Sequence, residues 1–206
     1  MLSVLVPLAI VLVALSIHEA AHAWSADRLG DPTARLLGRV SLNPLVHIDV
    51  IGTVILPLLA AFSGLPIIGW AKPVPVNISR LRNPRRDFML VAAAGPASNR
   101  LQAVVAAMIF RVIAGGADAG YGQSPIHSVL VDAVQINVFL ALFNLIPVPP
   151  LDGGNVLAGL LPPSAAQIFI RLREFGFIIL YALMFTGVLS ALIVPPAISL
   201  IRLLLP

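Results

Sequence analysis

Long apolar runs, separated by short stretches rich in arginine, proline and glycine, set the pattern of this chain. Leu2 to Ala23, Phe88 to Ile113, His127 to Phe143 and Phe175 to Leu205 each have about the length that a helix rising 1.5 Å per residue needs to cross a bilayer core. Ile51 to Gly69 is equally apolar but is punctuated by Gly52, Pro57, Gly64, Pro66 and Gly69, so it either crosses or re-enters on the side it came from. Trp70 to Asn77, with Pro73 and Pro75, has extended character and could serve as an edge strand that holds a peptide. The pattern predicts an all-α polytopic membrane protein of four to five transmembrane helices. It also predicts that the stretch around residues 50–77 could hold a re-entrant or strand-containing segment, and that residues 1–206 form a single integral-membrane domain.

Charge orients the runs. Arg28, Arg35 and Arg39 sit in one loop, and Lys72, Arg80, Arg82, Arg85 and Arg86 in another. Both loops are cytoplasmic by the positive-inside rule, which favours re-entry for the segment between them. Arg171 and Arg173 place the start of the last run on the same side, while Gly115 to Gly122 reads as a flexible outer connection. The first run lacks upstream Lys or Arg and exceeds the usual signal-peptide core, so it is expected to be retained.

Composition narrows the class. With 59% hydrophobic and 11% charged residues, the chain is too apolar for a soluble domain. Its net charge of +4 comes from arginines flanking apolar runs, which implies the lipid bilayer as partner and no nucleic acid. Cysteine is absent, so a transition metal would have to be held by His and carboxylate.

Candidate chemistry begins inside the first run, at His18-Glu19-Ala20-Ala21-His22. On a helix His18 and His22 lie one turn apart, about 6 Å along the axis, and project from one face. Two imidazoles so placed can chelate zinc, and Glu19 beside them can take a proton from an activated water. Ionisable groups at membrane depth are costly, which favours function over packing.

A third ligand is sought further along. Asn144 to Val156 carries Pro147, Pro149 and Pro150, then Leu151-Asp152-Gly153-Gly154, a stretch that cannot continue the preceding helix. Asp152 is the best-placed third metal ligand, and Asn144 could orient a substrate backbone or stabilise an oxyanion. Taken alone, Asp152 would instead read as a helix cap. Asn99, in Gly95-Pro96-Ala97-Ser98-Asn99, needs a partner on another helix or near the metal. Small residues around it suit close helix packing, and the neighbouring Arg100 must face a polar interior or snorkel. His47 and Asp49 are either an accessory pair near the metal or, preferably, loop groups that bond locally.

These residues together resemble the site-2 protease family of intramembrane zinc metalloproteases, in its short form without an inserted PDZ domain. His18 to His22 matches the family's HExxH helix, and Asn144 to Gly154 its second metal-site motif. Gly95 to Asn99 and Gly69 to Asn77 are also similar to the short members. The resemblance implies one Zn²⁺ per chain held by His18, His22 and Asp152, Glu19 as general base and proton shuttle, and Asn144 as an auxiliary active-site residue. It implies hydrolysis of peptide bonds within or near transmembrane segments of membrane-protein substrates, in the cell membrane of a bacterium or archaeon, with the active site toward the cytoplasm. A homo-oligomer or a regulatory membrane partner is compatible with that reading. The alternative is a non-proteolytic membrane metal-binding protein or metal transporter, which would hold the metal without needing Glu19 as a base.

Overall fold

The computed structural model describes residues 2–55, 59, 62, 70–114 and 125–205. Among these all regular structure is helical. The principal helices are α1 (Leu2–Leu29), α2 (Thr33–Leu36), α3 (Pro84–Ala114), α4 (Pro125–Asn144), α5 (Asp152–Leu160), α6 (Pro163–Arg171), α7 (Gly176–Phe185) and α8 (Val188–Leu204). Two of them, over Leu5–Leu29 and Pro125–Asn144, are long and apolar enough to cross a membrane.

The 31-residue α3 is the centre of the molecule, packing against α1, α4 and α5. Charged residues at both ends and Arg100 within it keep it from reading as a purely apolar span, yet one face is fully apolar. Ala103, Ala106, Ala107 and Phe110 are buried against Val134 and Val138 of α4 and Ala197 of α8. The small side chains let the helix backbones approach closely, the packing mode of helices in lipid. At its far end Arg111 donates to the carbonyls of Leu203 and Leu204 (3.1 and 3.2 Å), placing a cation at the C-terminus of α8.

The last apolar run is broken, but not at its Pro195-Pro196 pair. Pro195 and Pro196 lie inside α8, where the Pro195 carbonyl accepts from Ser199 Oγ (3.0 Å). The 72° bend falls instead at the break before Val188, where Gly187 takes a left-handed φ of +76° that any other residue would adopt only with strain.

No strand forms among the described residues. Val50–Ile55 is a π-helical turn, and the Trp70–Asn77 stretch is extended without a ladder. The N–H groups of Trp70 and Lys72 are already spent on the carbonyls of Gly52 (3.2 Å) and His47 (2.8 Å), while Pro73 and Pro75 have none to offer. Most of Ile51 to Gly69, and the connection Gly115 to Gly122, lie outside the described residues.

Candidate metal centre

α1 carries His18 and His22 on the face it turns toward α3, where they are 3% and 8% exposed. Their rings meet edge-on, with centroids 4.7 Å apart and planes at 82°, and their Nε2 atoms are separated by 3.0 Å. Each Nδ1 faces an oxygen: Asn99 Oδ1 for His18 (2.6 Å) and the Val91 carbonyl for His22 (2.7 Å), both on α3. A carbonyl oxygen only accepts, so both Nδ1 atoms carry the hydrogen and both Nε2 atoms present lone pairs. Two such nitrogens cannot bond to each other.

Asp152 completes the cluster. Its Oδ2 lies 3.1 Å from His18 Nε2 and 3.4 Å from His22 Nε2, is buried, and receives no hydrogen bond among the described residues. The turn from Leu145 to Leu151 folds back so tightly over the start of α5 that a Cβ on Gly153 would stand 2.2 Å from the Leu145 carbonyl oxygen. The Gly-Gly pair thus seats Asp152 as the first residue of α5, pointing at α1.

Three lone-pair donors converging in a buried space repel one another unless a cation stands among them. His18, His22 and Asp152 form a group that could hold a metal ion. Four-coordinate zinc with bonds near 2.0–2.1 Å requires ligand atoms about 3.3 Å apart, and the three separations are close to that. The donor set, two imidazoles and one carboxylate, is one that zinc accepts. Gly95 of α3 closes the space from the other side, since a Cβ there would come within 2.4 Å of His22 Nε2 and 2.5 Å of His18 Nε2. The small-residue stretch around Gly95 therefore serves the site as well as helix packing.

Known proteins that resemble the chain carry the names of zinc metalloproteases. The model of peptidase family M50 matches residues 116–187. The "Putative zinc metalloprotease YwhC" of Bacillus subtilis (strain 168) is 36% identical over 191 residues, which is 89% of this chain and 82% of that protein. The chain belongs to peptidase family M50. "Putative zinc metalloprotease Rip2" of Mycolicibacterium smegmatis is 29% identical over 184 residues, and its namesake in Mycobacterium tuberculosis (strain H37Rv) 30% over the same length. The M50 chain covers 87% of itself and 66% of each Rip2 protein in these matches. No solved structure matches the chain.

The other candidate residues of the M50 chain fall in different places. Glu19 follows His18 directly, half-buried, and its carboxylate makes no hydrogen bond or ion pair among the described residues. Asn144 ends α4 with its Nδ2 donating to the Leu140 carbonyl (3.0 Å), and no hydrogen bond joins it to the three converging side chains. Asn99 has the partner its depth demanded, and that partner is His18. Arg100, next to it, is exposed.

His47 and Asp49 are local after all. His47 is buried and its Nε2 donates to the Ser41 carbonyl (2.8 Å), while Asp49 Oδ1 accepts from the Gly52 N–H (2.7 Å). Arg39, read as a loop charge, is buried as well and donates to the Lys72 carbonyl. Two participants escaped the sequence reading. Val91 acts through its backbone, which no side-chain pattern can reveal. Asn137 of α4, buried and bonded to Asn99, was legible by the rule applied to Asn99, that an amide in an apolar run needs a partner.

Proposed function

We propose that this chain is an intramembrane zinc metalloprotease of the site-2 type, cleaving peptide bonds within or near transmembrane segments of membrane-protein substrates. The observation that carries the reading is the convergence of His18 Nε2, His22 Nε2 and Asp152 Oδ2 from helices far apart in sequence, with an unpaired carboxylate, Glu19, on the turn that holds both histidines. Membership of family M50 and the names of the relatives support it.

His18, His22 and Asp152 would hold the zinc. When bound, the metal supplies a Lewis acid that acidifies water and polarises a carbonyl. Glu19 takes the proton of the attacking water and returns it to the leaving amine, so the carboxylate ends the cycle ionised as it began. Asn144 is placed in this reading as an auxiliary group that orients the substrate backbone or bonds the oxyanion, which requires its amide to leave the Leu140 carbonyl. A transmembrane substrate shields its peptide bonds in its own helix, so it must unwind locally before attack.

In this reading α3 crosses the bilayer beside α1 and α4, and with the bent pair formed by the last helices the chain makes four to five crossings. The arginine-bearing loops after α1 and before α3 face the cytoplasm, which puts the site a turn or two from that surface of a bacterial or archaeal cell membrane. A second copy or a regulatory membrane protein would act from the bilayer.

Glu19→Gln tests the assignment. In liposomes carrying a designed transmembrane substrate, the variant should lose cleavage by at least a hundredfold while retaining zinc. Cleavage at an unaltered rate would show that Glu19 is not the base.

A further inference from the structure

We infer that Asn137 of α4 is a positioning residue that sets the orientation of His18 through Asn99, so that a helix supplying no metal ligand pre-organises the metal centre. This rests on the reading of His18, His22 and Asp152 as metal ligands. The two histidines are held differently. His22 is fixed by a backbone carbonyl, that of Val91, whereas His18 is fixed by the side chain of Asn99, an amide that could turn over and offer N–H instead of oxygen.

What prevents the turn is a chain of hydrogen bonds whose direction starts from the backbone of α4. Asn137 Nδ2 donates to the Ala133 carbonyl (3.0 Å), which can only accept. That bond commits the other end of the Asn137 amide, Oδ1, to face α3. There it accepts from Asn99 Nδ2 (2.9 Å), which commits Asn99 Oδ1 to His18 Nδ1 (2.6 Å). With a hydrogen on Nδ1, the lone pair of His18 Nε2 points at Asp152 Oδ2 and His22 Nε2. Reversing any member would set two donors or two acceptors against each other.

The setting makes the relay strict. Asn99 is 0% exposed and Asn137 3%, so no solvent competes for either amide, and a mismatched amide there would stay unsatisfied. Outer-shell partners of metal-bound histidines commonly change metal affinity 10- to 100-fold when removed.

The test compares the unaltered full chain with Asn137→Leu, close in size but with no acceptor, and Asn137→Asp, which retains the acceptor for Asn99 and in its neutral form also the donor for Ala133. Zinc affinity is measured by chelator competition in detergent. In the metal-free protein, long-range 15N–1H spectra of the four histidines report whether His18 Nδ1 carries hydrogen, the His18 signal being identified by its loss in His18→Gln.

The relay predicts hydrogen on His18 Nδ1 and equal zinc affinity in the unaltered and Asn137→Asp proteins. In Asn137→Leu a form without that hydrogen appears, and zinc binds 10- to 100-fold more weakly. An Asn137→Leu protein that matches the unaltered one in both readouts overturns the inference. If Asn137→Leu does not fold, the unaltered chain decides, because a His18 without hydrogen on Nδ1 contradicts the relay on its own. Should the unaltered chain bind zinc no better than Asp152→Ala, the metal centre itself fails, and the relay is then judged on the Nδ1 hydrogen alone.

Discussion

Asp152 Oδ2 stands 3.1 Å from His18 Nε2, with the whole chain from α1 to the start of α5 lying between them in sequence. Neither residue has a local reason to be where it is. His18 is drawn in by Asn99 and Asp152 is pressed forward by the Leu145 to Leu151 turn, so the site exists only when α1, α3, α4 and α5 are assembled.

Gly95 should be as sensitive as a ligand although it has no side chain. In Gly95→Ala the new Cβ would fall 2.4 to 2.6 Å from the ring atoms of His22 and His18, so the rings must leave the position that faces Asp152. Alanine is the better helix former by about 1 kcal/mol, which offsets part of the overpacking cost of about 1–3 kcal/mol. Bound zinc measured by elemental analysis is expected to fall at least tenfold, with a small change in thermal stability.

Acid should loosen the loop behind the site before it unfolds the bundle. Burial alone would raise the Asp31 carboxyl, but bonds from the Thr33 hydroxyl and N–H and from the Asn77 N–H, with the charge of Arg80, outweigh it and hold it below its ordinary value of 3.8. A carboxyl depressed by folding contributes stability that is complete above its unfolded pKa and is lost as pH falls through the folded one. The protection factor of the Asn77 amide hydrogen, its slowing relative to an unstructured chain at the same pH, should therefore fall below about pH 4. Asp31→Ala should produce the same loss of protection at neutral pH, at a local cost of about 1–2 kcal/mol.

The bend before α8 should be separable from the metal. Gly187 has a φ of +76° and nothing within 4 Å of where a Cβ would stand, so Gly187→Ala meets backbone strain and no clash. A loss of about 1–2 kcal/mol is expected in thermal or denaturant unfolding, with zinc content unchanged.

The chemistry-bearing residues were legible because membrane depth makes polar groups expensive. His18, Glu19 and His22 stand out from their run at helical spacing, and the proline and glycine cluster announced the end of α4 near Asp152. What completes the site was less visible, because it depends on which helix faces which. The Val91 carbonyl is backbone, Gly95 passes for a packing glycine, and Asn137 acquires meaning only once Asn99 lies beside it. Trp70 to Asn77 resembled an edge strand by its alternating prolines, yet the donors that a strand would offer are consumed by Gly52 and His47. Pro195 and Pro196, residues that ordinarily kink or end a helix, lie inside α8, and the bend falls instead at Gly187.

The central claim is that two remote halves of the chain make one metal centre, and metal content tests it most directly. Purified in detergent and analysed for zinc, the unaltered chain should carry about one equivalent, and both His22→Ala and Asp152→Ala should lose most of it while remaining folded by circular dichroism. An Asp152→Ala protein that still carries a full equivalent would contradict the account, because the carboxylate 3.1 Å from His18 would then not be a ligand.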